Sequence, residues 1–433
     1  MAIKLKALAC GIAMAGAALL GLAGTAAAED KVTLKMWALV NENYPEFIEQ
    51  AKAEFQKTHP NIDIVLESTP NEAYKTAIQV ALVGSEPPDV FFNWSGEDAA
   101  RLARDGLALD ITDLGNAPGG FKSLISEGWQ QSFVVNGRNY GVPMEAVTKY
   151  VYYNKSFFAE HDLKPAKTFD ELTGLCKAIR QIDPSMVPMP MGNSERWTLI
   201  HYITVLNERV LGSEATAADY ALTAPADQLF TNPGYVEAWQ KVLDLKAAGC
   251  FEDAPNATSP EAARAMFDTE VAPMMFCGSW CMATFDTDGF TDYALFRFPT
   301  VEGGKSDGTT NMVIPQGLQV SAKTKHPKEA VEWLSFLVTP EMGRLYAEMR
   351  GAIPSNAEQI GESDKLTEQF KWIANDVASL SSTFNVLDVL LNASVANAYL
   401  DAGVEILNGT KTPEQAMEAI RKVALEEKTK AGL

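Results

Sequence analysis

The chain has 433 residues, 47% hydrophobic and 21% charged, with 36 Lys+Arg against 56 Asp+Glu and a net charge of −20. That length gives material for two or three domains with large cores. The acidity excludes the basic footprint of a nucleic-acid binder and attraction to an anionic membrane surface, and four histidines are little material for a multi-histidine metal site.

The chain opens with Lys4 and Lys6, an apolar run over 7–22, and Gly24-Thr25-Ala26-Ala27-Ala28 before Glu29-Asp30. A basic start, an apolar middle and a small-residue cleavage site spell a secretory signal peptide, cleaved after Ala28. The run is short for a membrane anchor, and Cys10 falls too early for a lipoprotein, so the expectation is a chain released into the periplasm. Val32 to Trp37 reads as a strand. Phe47, Ile48, Ala51 and Phe55 recur at helical spacing. A strand at 62–66, a helix at 72–83 and the apolar run Val90-Phe91-Phe92 after Pro87-Pro88 complete a β-α-β-α-β start, the mark of an α/β layer with a parallel sheet.

Asn136-Gly137 between short apolar segments signals a hairpin. Further strands are expected at 147–153, 271–276, 293–298 and 318–321, with helices at 169–182, 198–211 and 234–248. From Pro327 onward the chain reads as helices at 327–338, 340–349, 364–379, 386–407 and 412–430. No internal repeat or linker separates the α/β part from the helical tail, which points to lobes built from discontinuous segments. Four cysteines follow the leader: Cys176, Cys250, Cys277 and Cys281. An exported chain permits disulfides, and four cysteines allow three pairings. A local Cys277–Cys281 bridge, leaving Cys176 for Cys250, and free buried thiols both stay open.

Catalytic and cofactor signatures are missing. There is no Gly-x-Ser-x-Gly elbow, no His-Glu-x-x-His, and no Gly-x-Gly-x-x-Gly after the first strand. Gly304-Lys305-Ser306 has Pro299 where a phosphate-binding loop needs its first glycine. Asp286-Thr287-Asp288-Gly289 lacks the ligand spacing of a calcium loop and reads as an acidic turn. His201, in an apolar helix, reads as packed rather than catalytic. No cofactor and no metal are expected.

The strand ends carry chemistry instead. Strand one ends at Trp37 and runs into Asn41. The third strand ends in Asn93-Trp94-Ser95, and the strand at 271–276 leads to Gly278-Ser279-Trp280. In open α/β sheets ligands bind outside the carboxyl ends of strands. An indole suits the C–H face of a sugar ring, and carboxylates and amides suit its hydroxyls.

These residues, with Phe55…His59-Pro60-Asn61-Ile62, Pro88-Asp89-Val90-Phe91, Tyr140-Gly141-Val142-Pro143, Tyr153-Asn154-Lys155, Thr168-Phe169-Asp170-Glu171-Leu172 and Trp333-Leu334, resemble the extracellular solute-binding proteins of ABC sugar importers, in the maltose-binding-protein-like branch. The resemblance covers essentially all of the chain after the leader. It implies a two-lobed type II periplasmic binding fold, each lobe an α/β mixed, mainly parallel sheet flanked by helices, with ligand closed between lobes joined by hinge strands. One lobe would comprise 29–142 plus 312–356, the other 143–311 plus 357–433. By matched position, the resemblance implies ligand-binding roles for Trp37, Asn41, Asn93, Trp94, Ser95, Glu145, Trp197, Trp280, Asp388 and Asn392. The implied partners are a carbohydrate and the inner-membrane permease, with the receptor a monomer that hydrolyses nothing. The alternatives are a receptor for a polyol or glycerol phosphate, for which Arg196 and Arg350 would supply the basic groups, a secreted glycoside hydrolase with paired carboxylates, and a sensory receptor on the same fold.

Overall fold

The computed structural model describes residues 31–40 and 43–433; the expected leader and Asn41 lie outside them. β1 (Val32–Leu39) buries Val32, Leu34 and Met36 while its alternate residues face out, the period-two pattern of a strand. It pairs in parallel with β2 (Ile62–Thr69) and β3 (Val90–Trp94). The helix Tyr44–Phe55 makes the first crossover, starting with Pro45 in its first turn and burying Phe47, Ile48, Ala51 and Phe55 as one stripe. A parallel pair needs such a crossover helix.

After the hairpin of β4 (Val134–Val135) and β5 (Arg138–Asn139), β6 (Val142–Asn154) is much longer than the strand expected at 147–153. β7 (Met274–Gly278) and β8 (Tyr293–Phe296) run antiparallel to it. β9 (Thr310–Val320) pairs with β6 and β3 in antiparallel fashion, β10 (Ile353–Pro354) also pairs with β6, and β11 (Ser382–Phe384) lies parallel to β9. Together these make one mixed nine-stranded sheet among the described residues. Its parallel pairs are β1–β2 and β1–β3 at one end and β9–β11, and the pairs around β6 are antiparallel.

The sheet serves two main cores. One gathers β1–β3 with the helices Tyr44–Phe55 and Pro327–Leu337 around Phe47, Phe91 and Trp333. The other gathers the helices Phe169–Ile182, Trp197–Leu211, Gly234–Ala247 and Ala393–Leu407 around Tyr202, Trp239 and Tyr399. A third cluster packs behind β6 around Tyr152, Phe267 and Phe285. Along β6 the change of core falls between Met144 and Val147, and along β9 between Leu318 and Ile314. At 352–353 Ala352 belongs to the first core and Ile353 to the third cluster. The chain therefore has two lobes, joined by β6, β9 and the segment at β10. β6 passes Pro143 through a bulge between Pro143 and Glu145, one of the few ways a proline is accommodated within a sheet. Gly317 of β9 packs so closely on the Val142 carbonyl that a Cβ would overlap it.

The helix expected over 386–407 is two, Leu387–Leu390 and Ala393–Leu407. Asn392 caps the second with its side chain, accepting from Ser394 N at 2.9 Å, so the backbone turns there instead of continuing. The acidic 286–289 segment is a helix end, with Gly289 in the left-handed region as C-cap. The Gly304-Lys305-Ser306 turn wraps Arg209, whose guanidinium donates to Ser306 Oγ at 3.1 Å. Two disulfides occur among the described residues, Cys176–Cys250 and Cys277–Cys281. No helix among those residues is long and apolar enough to cross a membrane.

Candidate functional site

A cavity of about 760 Å³ lies between the two lobes, within the range of roughly 300–1,000 Å³ usual for small-molecule sites. Both crossing strands line it. Glu145, Val147 and Lys149 of β6 and Ile314 and Gln316 of β9 face it, because alternate residues of a strand share one face.

The first lobe contributes the end of β3. Asn93 lines the cavity, but its side chain is already engaged: its amide donates to Gln319 Oε1 at 2.7 Å and its carbonyl accepts from Trp94 N at 2.9 Å. Trp94 stands edge-on to Phe92 at 5.0 Å, packs against both cores, and carries the Lys75 ammonium over its ring at 5.3 Å. Asp98 lies on the next helix, Glu97–Arg104.

The second lobe contributes an aromatic wall. Two helices begin on it, Trp197–Leu211 and Trp280–Asp288, each with a tryptophan as first residue. The Trp197 indole N–H donates to Glu195 at 2.8 Å. Its ring lies 6.0 Å from Trp280 and 5.3 Å from His201, one turn along its own helix. Gly278 runs directly beneath Trp280, and a Cβ there would overlap the indole ring. The Cys277–Cys281 bridge brackets the same turn and lines the cavity. Lys149 is almost fully buried, with its ammonium 4.8 Å from the Trp280 and Phe276 rings and 6.0 Å from Trp197. Burial holds its pKa well below the usual lysine value, because an apolar surround penalises the charged form. Burial and the nearby Lys149 likewise push His201 down, and its Nδ1 has no partner among the described residues.

At the crossing, Glu145 is buried, with Arg350 Nη2 at 4.0 Å from one oxygen and no partner for the other among the described residues. Burial raises its pKa, with Arg350 and Tyr346 opposing. Across the mouth the lobes touch: Asn385 donates to Ser95 Oγ at 3.0 Å, and Asp388 lies 3.9 Å from Lys75. Asp98 is pushed up to about 6, first by burial and then by the Asp388 charge, with Lys75 and Arg101 opposing. Burial also raises Asp388.

Of the residues singled out in the sequence, Asn93, Trp94, Glu145, Trp197, Trp280 and Asp388 come together at this cavity. Trp37 does not. It sits two residues inside the end of β1, opposite Glu67 and Phe91, and packs on the first lobe's core. Ser95 is buried at the inter-lobe contact, and Asn392 serves as a helix cap; neither lines the cavity. Sequence reasoning passed over Lys149, Lys75, Asp98 and Gln316. The available signal for Lys149 was a lone charge within the apolar run Val147 to Tyr153.

Two lobes with separate cores, joined by crossing strands around an aromatic cavity, define a two-lobed ligand-binding protein. The chain belongs to the family of bacterial extracellular solute-binding proteins, whose profile matches residues 37–344. It is 26% identical over 334 residues to the multiple sugar-binding protein of Streptococcus mutans, an alignment covering 75% of each chain. It is 24% identical over 336 residues to the maltodextrin-binding protein MdxE of Bacillus subtilis, covering 75% of this chain and 74% of that one. A solved chitin oligosaccharide binding protein superimposes with a TM-score of 0.81 at 22% identity, over 92% of this chain and all of the other.

Proposed function

We propose that the protein is an exported receptor that captures a sugar, a di- or oligosaccharide, between its lobes and delivers it to the permease of an ABC importer. The observation that carries this reading is the cavity between two cores with Trp94 on one side and Trp197 and Trp280 on the other. Flat indoles suit sugar faces, and the buried Glu145 has an oxygen free among the described residues for a hydroxyl. The names of the relatives point to the same ligand class. In this reading the leader is removed after Ala28, residues 29–142 with 312–356 form one lobe, and 143–311 with 357–433 form the other. The receptor acts as a monomer, and its work is binding and hinge closure, with contacts made across both lobes shifting the population toward the closed form. The bulged passage of β6 at Pro143–Glu145 supports a hinge there.

A thermal-shift and calorimetric screen against mono-, di- and oligosaccharides, polyols and glycerol phosphates tests it. A ligand that binds only the folded state raises the melting temperature by mass action. The expected result is a rise with a class of sugars, accompanied by a change in tryptophan fluorescence. A rise with glycerol phosphates alone, or turnover of a chromogenic glycoside, would overturn the assignment.

A further inference from the structure

We infer that the sugar this receptor takes is acidic, and that the carboxylate of a uronic-acid unit is held by Lys149 against the Trp197–Trp280 wall. The inference rests on the receptor reading above and narrows its substrate class.

Lys149 is 1% exposed, yet it lines the cavity, and it makes no ion pair with a carboxylate among the described residues. Its surroundings are the faces of Trp197, Phe276 and Trp280. Aromatic faces attract a cation but do not neutralise it. A buried ammonium without a counter-ion is costly, because it has left water and gained no opposite charge. Other cations that line the cavity have carboxylate neighbours: Arg196 pairs with Asp401, Lys75 with Glu72 and Asp388, Arg101 with Asp105, and Arg350 with Glu145.

A second observation points the same way. The helices Trp197–Leu211 and Trp280–Asp288 both begin at this wall, which adds their positive ends to the Lys149 charge. The titratable group that acts on Lys149 from the packed elements is His201, one turn into the first helix, which the Lys149 charge pushes down; Glu195 at that helix's start accepts from the Trp197 indole through one oxygen and makes no ion pair with Lys149 among the described residues. From β7 and β9 the neighbours are uncharged, Phe276 and Asn311, the latter donating to the Lys149 carbonyl at 3.1 Å. A neutral hydroxyl would accept a hydrogen bond here and leave the charge uncompensated. A carboxylate supplies both the acceptor and the charge, and its sugar ring meets the indoles.

The inference carries a proton signature. Burial shifts Lys149 toward the neutral amine in the empty cavity, and a bound carboxylate shifts it back toward the ammonium, so binding an acidic sugar is accompanied by proton uptake.

The full chain, purified from the periplasm, is titrated by calorimetry with digalacturonate and other uronic-acid oligosaccharides, and with neutral counterparts bearing a hydroxymethyl group in place of the carboxylate. Buffers of different ionisation enthalpy give the proton count. The expected result is a preference of about 30-fold for the acidic sugar, the scale of one charge-assisted hydrogen bond, with net proton uptake. Lys149→Met should abolish the preference and most of the uptake, and Lys149→Arg should keep the preference. The wild-type proton count needs no variant. Neutral sugars binding as well as acidic ones, or a preference surviving in Lys149→Met, would overturn this inference and leave the receptor reading intact. No binding of any sugar, acidic or neutral, would overturn the receptor reading itself.

Discussion

The two walls of the cavity are built on opposite principles. On the first lobe the polar groups satisfy one another: Asn93 is tied to Gln319, and Lys75 to Glu72 and the Trp94 face. On the second lobe the wall is aromatic: the buried Lys149 lies against three ring faces, and His201 Nδ1 is buried without a hydrogen-bond partner among the described residues. A satisfied surface gains little from a new contact, since a hydrogen bond only replaces another. An unsatisfied one gains the whole offset of a desolvation cost. Affinity should therefore reside mainly in the second wall, and closure in the first wall's contact with residues 385–388.

The second lobe is also the one with cross-links: both disulfides of the described residues lie in it. The largest expected effect separates their roles. Cys176–Cys250 closes a loop with a sequence separation of 74, against 4 for Cys277–Cys281. The loop-entropy model gives roughly 4 kcal/mol for the first and roughly 2 for the second. The double change Cys176→Ser with Cys250→Ser should lower unfolding stability by the larger amount and leave the affinity of the folded protein unchanged. Cys277→Ser with Cys281→Ser should cost less stability and weaken binding, because that bridge lines the cavity. Denaturant unfolding alongside calorimetry reads both, and equal affinities in the two variants would contradict the division.

Next in size is the wall itself. Trp280→Ala should lose about 3 kcal/mol of binding, around a hundredfold, as expected for a central aromatic anchor. Trp94→Ala should lose clearly less, and Trp37→Ala should leave binding within about twofold, a difference of less than 0.5 kcal/mol. A larger loss at Trp94 than at Trp280 would reverse the assignment of affinity to the second wall. Gly278→Ala is subtler. The added methyl displaces the outer edge of the Trp280 ring rather than backbone. Stability should fall by about 1 kcal/mol, the low end for overpacking, while affinity falls about tenfold.

The same contrast explains what could be read from the sequence. The first lobe's β-α-β-α-β start was legible because each element carries its own period: alternate burial in β1, and the stripe Phe47, Ile48, Ala51, Phe55 in the helix after it. The crossing strands were legible only in part: the strands expected at 147–153 and 318–321 fall short of β6 and β9, which run on through Pro143 and Gly317 by a bulge and a close backbone contact. Trp37 and Trp94 look equivalent as strand-end indoles. β1, however, continues to Leu39, which lines the cavity and leaves Trp37 two residues short of it. Lys149 was passed over because a lysine in a strand ordinarily faces water. Only the packing of β7 and two helix starts around it reveals a buried charge.

The smallest expected effect tests the first wall's part in closure. Asp98 belongs to the first lobe and Asp388 to the second, and burial together with the Asp388 charge raises Asp98 from 3.8 to about 6. Lys75 and Arg101 pull it down, and Glu97 adds to the rise. A carboxyl whose pKa is raised by the contact favours that contact when protonated. Its contribution is complete below the ordinary value of 3.8 and is lost as pH rises through about 6. Opening the lobes would hydrate Asp98 and move it away from Asp388, so closure and affinity should be greater at pH 5 than at pH 7.5. Each half unit of the shift that closure supplies changes affinity about threefold. Calorimetry across pH 5–8 with a neutral sugar keeps ligand ionisation out of the measurement. Asp98→Asn should flatten the profile and bring the affinity at pH 7.5 up toward the wild-type value at pH 5, because the amide copies the shape of the protonated acid without its charge. A flat wild-type profile, or weaker binding by Asp98→Asn at pH 7.5, would show that the acidic pair at the mouth does not oppose closure, and the first wall would then lose its gating role.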